Sequence, residues 1–212
     1  KAEVMEPGLA LPAVWQWGNY REILLESPIP RYLFNSLFVA SLTMALQVVC
    51  CALFAYAVVF MRFKGRRLLF SLVLFTYMVP TAATYIPCYV LLARLGLLDS
   101  YRGLILSNGV SVFGIFLLRQ HMRGIPKSLV EVAKLEKASH TNILRTIVVP
   151  MVKPAILSIG IIFFINSWNE YVWPVLILKS KENYTLSLAL QMYISAEGGT
   201  EFTIAMAVSV MT

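Results

Sequence analysis

The sequence predicts an all-α polytopic membrane protein, and three observations carry that expectation. Of 212 residues, 58% are hydrophobic and only 14% charged, against about 25% charged in an ordinary soluble domain. The deficit lies in long apolar runs of membrane grade. The apolar/polar alternation of barrel strands is absent, and in lipid a backbone must satisfy its own hydrogen bonds, so each run reads as a helix.

Five runs follow in order. The first extends from about Leu33 to Met61, the second from Leu68 to Leu92, the third from Gly103 to Leu118 and the fourth from Ala155 to Leu178. A fifth begins near Phe202 and stops after about eleven residues, where a span needs roughly 20. The opening stretch, Lys1 to Pro12, has no initiating Met and no signal-peptide pattern. The expectation is one transmembrane domain over 1–212, truncated at both ends.

Charge orients the runs. Arg62, Lys64, Arg66 and Arg67 sit between runs one and two, and seven more cations sit in 119–154, together eleven of the eighteen Lys and Arg. The opposite side holds seven, offset by eight carboxylates. The positive-inside rule makes the basic side cytoplasmic. The net charge of +7 is therefore mostly a topology signal and implies no nucleic acid. "WQWGNY", residues 15–20, is an aromatic approach to the first span from outside, and the loop after the fourth run is external with some amphipathic character.

Metal and disulfide chemistry are not expected. Cys50, Cys51 and Cys88 lie inside apolar runs, and adjacent cysteines do not form an ordinary disulfide. His121 and His140 are isolated from other ligand types.

The stretch 131–154 is patterned unlike the rest. Ser128 and Glu131 have capping-box spacing after Pro126, which predicts a helix with Ser128 as N-cap. Leu129, Val132, Ala133 and Leu135 then mark one helix face. Ser139 is a second start signal, followed by the stripe Ile143, Leu144, Ile147 and Val148, with Pro150 and Pro154 closing the element. Two short helices joined by a turn are expected. Their apolar stripe must be buried, either on lipid headgroups or in a groove on a partner protein.

These residues also carry a resemblance. The run 117–155 resembles the EAA loop of binding-protein-dependent ABC importers, approximately E-A-A, three residues, G, nine residues, I-x-L-P. Glu131, Ala133, Ala138, Ile147 and Pro150 match in register. "NYREIL", "NSLFVASL", "FLLRQHMRGIP", "SWNEYVWPVLIL" and "ENYTLSLAL" resemble the second permease subunit of maltose- and glycerol-3-phosphate-type importers, and the likeness covers nearly the whole chain. It implies a type I ABC importer transmembrane fold in the cytoplasmic membrane, with a cytoplasmic coupling loop at about 119–154. Coupling to an ABC ATPase dimer would fall on Glu131, Val132, Ala133, Leu135, Glu136, Lys137, Ala138 and Ser139. A second permease subunit, an external solute-binding protein and a sugar, polyol or glycerol phosphate substrate are implied as well. Val132, Glu136 and Val149 depart from the motif, and Lys137 replaces its glycine. A lysine in a positive-φ turn would cost on the order of 1 kcal/mol, so either the turn differs or the coupling is altered.

The runs offer path-lining candidates. Pro80 and Pro87 each remove a backbone hydrogen bond from the second run and tend to kink it. Tyr77, Thr81, Thr84 and Cys88 recur at helical spacing with Tyr85 beside them. This is either a polar face on a translocation path or Thr hydroxyls bonding back to the backbone around prolines. Asn108, Asn166 and Asn169 are further candidates, with Ser107. Glu170 lies about 22 Å along the fourth run from Ala155, near an aromatic belt of Trp168, Tyr171 and Trp173. Interfacial anchoring or a subunit contact is expected there rather than a proton relay.

No G-x-x-x-x-G-K-[ST] loop is present. ATP and Mg²⁺ therefore belong to a separate ATPase, and the chain itself is expected to be a non-enzymatic permease subunit that binds no cofactor. An ion-coupled secondary transporter is the alternative, but it calls for midplane ion sites and internal repeats. A membrane-embedded enzyme lacks any nucleophile–base pair or metal cluster.

Overall fold

The computed structural model describes residues 27–194 and Ser209. Among the described residues all regular structure is helical. Helix α1 runs Ile29–Phe60, 32 residues without interruption. At 1.5 Å per residue it is about 48 Å long, more than the ~30 Å of a hydrocarbon core. It is long and apolar enough to cross a membrane on its own.

The next three runs are each broken. The second becomes α2 (Arg66–Thr76) and α3 (Thr81–Arg94), bent by 102°. The break is at Pro80, whose ring disfavours helical backbone at Val79, and α3 then continues through Pro87. The third run becomes α4 (Tyr101–Ser107) and α5 (Val112–Arg123), bent by 50°. Ser111 restarts it by accepting a hydrogen bond from the Gly114 amide at 3.2 Å. Helix α6 (Lys127–Leu135) follows, then α7 (His140–Met151) and α8 (Lys153–Asn169), the last two bent by 82°. The apolar pattern of the fourth run predicts a helix to Leu178. Instead α8 ends at Asn169 and α9 starts at Val172, running to Ile177. Pro174 has no N–H to offer a continuing helix. Each bent pair is long and apolar enough for one span only when its two helices are taken together. A short 3₁₀ turn (Lys181–Asn183) leads to α10 (Leu186–Ile194). The fifth run lies outside the described residues, Ser209 excepted.

The chain divides into two compact units, one of them Val39–Ser167. Its core joins Cys51, Ala55 and Tyr56 of α1 to Phe70 of α2, Ile115 and Leu118 of α5, and Ile159 and Phe163 of α8. Val130 and Ala133 of α6 and Ile143 and Val148 of α7 belong to the same core. The helices of the connecting loop are thus packed as part of the bundle. Close approach is possible because α5 carries Gly114: a Cβ there would meet the Phe163 ring and lie 3.0 Å from Cys51 Sγ.

The other unit is Lys1–Phe38 with Trp168–Thr212. Within its described part, Ile29 and Tyr32 pack on Leu186 and Ala189. Asn35 Nδ2 donates to the carbonyls of Glu182 at 3.0 Å and Tyr184 at 2.9 Å, and Ser36 Oγ accepts from the Leu186 amide at 2.7 Å. These two side chains satisfy backbone groups of the segment leading into α10, where its first turn has no helical partners.

Candidate functional site

The segment 126–151 is built from local signals. Pro126 (φ −57°, ψ 124°) directs the chain into α6, so the helix begins at Lys127. The expected Ser128 cap is not formed: Ser128 already lies in the first turn, where its hydroxyl cannot reach an N2 or N3 amide from outside the helix. Burial divides the expected stripe and adds a second face. Val130 and Ala133 face the core, whereas Leu129, Val132 and Leu135 are 44%, 54% and 83% exposed. Glu131 and Glu136 are exposed beside them. One face of α6 is anchored and the other presents apolar side chains flanked by carboxylates.

The turn after α6 is of the glycine type despite its lysine. Lys137 has φ +59°. Its amide donates to the Lys134 carbonyl at 3.0 Å, and the Ala138 amide reaches back to Ala133 at 3.0 Å. This pair of bonds is the Schellman arrangement. The end of α3 repeats it with a glycine: Gly96 has φ +66°, and the Gly96 and Leu97 amides donate to Ala93 and Leu92. Lysine thus occupies a left-handed turn of the same form that glycine makes at the end of α3. Ser139 then caps α7 as expected, accepting from the Asn142 amide at 3.2 Å.

Helix α7 widens into a π turn over Leu144–Val148 and continues through Pro150 rather than closing there. A proline ring would collide with the carbonyl four residues back, here Thr146, in a regular α-helix, and one wide turn relieves it. Two polar contacts tie the segment to the end of α1. Lys134 Nζ donates to the Phe60 carbonyl at 3.2 Å, and Tyr56 Oη lies 2.9 Å from His140 Nδ1.

The path candidates sit on several elements. Tyr77 is in the turn between α2 and α3, so the bend removes it from the helical face it was expected to share with Thr81, Thr84 and Cys88. Thr84 Oγ1 donates to the Thr81 carbonyl at 2.7 Å, which is backbone bonding near a proline. Tyr85 is half-buried. Asn108, at the α4–α5 break, donates to Leu104 at 3.2 Å, and its carbonyl accepts from Gln47 at 2.7 Å. Asn166 and Asn169 are exposed near the end of α8. Glu170 acts locally, as a cap for α9. Its Oε1 accepts from the amides of Val172 at 3.0 Å and Trp173 at 3.2 Å.

Comparison with known proteins identifies this architecture. The family model for "binding-protein-dependent transport system inner membrane component" matches residues 47–212. The chain belongs to that family. The permease is 34% identical over 201 residues to the arabinooligosaccharides transport system permease protein AraQ of Bacillus subtilis strain 168, covering 93% of this chain and 72% of the relative. It is 32% identical over 213 residues to the sn-glycerol-3-phosphate transport system permease protein UgpE of Pectobacterium atrosepticum, covering 97% and 76%. Among solved structures it matches a bacterial ABC transporter involved in import of the acidic polysaccharide alginate, with TM-score 0.89 and 25% identity over 99% of this chain and 79% of that one. The fold is that of an ABC importer transmembrane domain, and the permease is an inner-membrane transport component. The ion-coupled alternative is not favoured.

Sequence reasoning missed several structural side chains of the permease. His140 reads from sequence only as an isolated histidine, yet it pairs with Tyr56. Asn35 and Ser36 stand out as adjacent polar residues within the first apolar run, a signal that could have found them. The capping role of Glu170 was legible in its position three residues before Trp173 and four before Pro174.

Proposed function

We propose that this permease imports a sugar, a related polyol or glycerol phosphate, driven by an ABC ATPase dimer bound at α6 and the turn that follows. The observation that carries the proposal is the split of α6. Its inner residues Val130 and Ala133 are locked into the transmembrane core, while Leu129, Val132 and Leu135 stand exposed beside Glu131 and Glu136. An apolar face outside the membrane gains by entering a groove, and a helix packed in the core passes any displacement on as a rigid body. Glu131, Val132, Ala133, Leu135, Glu136, Lys137, Ala138 and Ser139 form this coupling element, on the cytoplasmic side. ATP and Mg²⁺ are held by the ATPase. An external solute-binding protein delivers substrate, and a second permease subunit completes the path.

Tyr77, Thr81, Thr84, Tyr85, Asn108, Asn166 and Asn169 are the path-lining candidates on this chain. The substrate class is supported by the named substrates of the relatives, which share hydroxyl-rich chemistry. Reconstitution tests the coupling assignment. Leu135→Asp places a charge in the proposed groove and is expected to abolish co-purification of the ATPase while the permease keeps its melting temperature. Unchanged co-purification and ATP-dependent uptake would refute the coupling role.

A further inference from the structure

A cavity of about 980 Å³ lies between the end of α1, the turn after it and α6. Arg62, Lys64, Arg66, Lys127 and Lys134 line it against one lining carboxylate, Glu131. Two of the cations are engaged: Lys134 holds the Phe60 carbonyl, and Arg66 donates to the Met61 carbonyl at 3.3 Å. Among the described residues, Arg62, Lys64 and Lys127 have neither an ion pair nor a hydrogen-bond partner for their side chains. The rest of the wall is largely apolar, with Val59, Phe60, Phe63 and Val130.

We infer that this cavity binds the phosphate headgroup of an anionic phospholipid. Like-charged side chains converging on one space repel unless an anion enters. The apolar wall distinguishes the occupant from a free anion, because a phospholipid brings a glycerol and acyl segment beneath its phosphate. The sequence agrees: the apolar run of α1 ends at Met61 and the basic turn follows at once, the arrangement expected of cations flanking a span on the cytoplasmic side. Basic clusters placed just beyond a span recognise anionic lipid in this way. The lipid would touch both the end of α1 and α6, and so would bear on the coupling element. The assignment to the inner leaflet rests on the topology proposed above; binding itself does not.

The test uses the full-length permease, purified in zwitterionic detergent and stripped of lipid. It is mixed with phosphatidylglycerol, phosphatidylcholine or inorganic phosphate, and bound molecules are counted by native mass spectrometry. Phosphatidylglycerol is expected to be retained preferentially. Each cation removed should lower retention about fivefold, so R62S/K64S/K127S should lower it on the order of a hundredfold at low salt. The conservative set R62K/K64R/K127R should retain lipid, as should the control R94S/R102S/K181S. Equal retention of the two lipids, or no loss in the serine set, would overturn the inference. So would loss in the conservative set, since charge would not be what holds the lipid. Inorganic phosphate binding as tightly as the lipid would also overturn it, assigning the cavity to a free anion. If the serine set lost only the ATPase and kept the lipid, the cavity would belong to a protein contact instead. The leaflet is read separately, by labelling Lys64→Cys from each side of sealed vesicles.

Discussion

Replacing Lys137 by glycine should stabilise the turn that links α6 to α7. Lys137 sits at φ +59°, and holding an L-residue in the left-handed region costs roughly 1–2 kcal/mol. Glycine removes that strain but loses roughly 0.4–1 kcal/mol through its freer unfolded chain, leaving a net gain of about 1 kcal/mol or slightly less. Both hydrogen bonds of the turn, Lys137 to Lys134 and Ala138 to Ala133, are made by backbone atoms and survive the change. The readout is hydrogen–deuterium exchange at the Ala138 amide, whose bond must open for exchange. After correction for intrinsic rates, K137G should slow it by up to about fivefold. K137V should accelerate it, because a β-branched residue tolerates positive φ worst. Equal protection in all three proteins would refute the left-handed assignment. Slower exchange in K137V than in K137G would do so more directly.

Two further perturbations probe how the loop is held. Tyr56→Phe removes the 2.9 Å contact with His140, a loss of roughly 0.5–1.5 kcal/mol; in reconstituted vesicles the ATP hydrolysed per solute imported should rise, and an unchanged ratio would mean that this contact transmits nothing. Gly114→Val drives a side chain into Phe163 and Cys51, an overpacking worth roughly 1–3 kcal/mol. The apparent melting temperature should fall and recover in part when Phe163→Leu is added, whereas independent, additive effects would place the two residues apart.

What the sequence made legible follows from which forces act locally. Apolar run length is a property of consecutive residues, so α1 and the rough extent of the next three runs could be read directly. The Ser139 cap and the stripe at Ile143, Leu144, Ile147 and Val148 are local as well, and the structure keeps them. The 102° bend between α2 and α3 was not legible in the same way. Pro80 and Pro87 look alike in sequence, yet one ends a helix and the other lies inside α3, because surrounding packing decides whether the lost hydrogen bond is replaced. A second apolar face of α6, Val130 with Ala133, went unread for a related reason. Periodicity shows that apolar residues recur, but which of two apolar faces meets the core depends on where α1 and α5 lie. Path-lining residues depend on contacts beyond one chain, and local hydrogen bonds such as Thr84 to Thr81 show that a polar stripe needs no path to account for it.

Lys134 shows how anchoring and the proposed coupling can belong to one helix. Its stem leaves α6 and its ammonium group takes the carbonyl of Phe60, among the unpaired acceptors at the end of α1. A cation at a helix C-terminus is favoured by the dipole, so this contact holds α6 against the span from below while Val130 and Ala133 hold it from the side. Tyr56 and His140 add a second tie one turn earlier on α1. With α6 held by Lys134, Val130 and Ala133 and α7 held by His140, a force applied to Leu129, Val132 and Leu135 has little local freedom into which to dissipate. The turn at Lys137 is then a strained but hydrogen-bonded corner between two anchored helices, which is why relieving its strain should alter exchange at Ala138 without moving either helix.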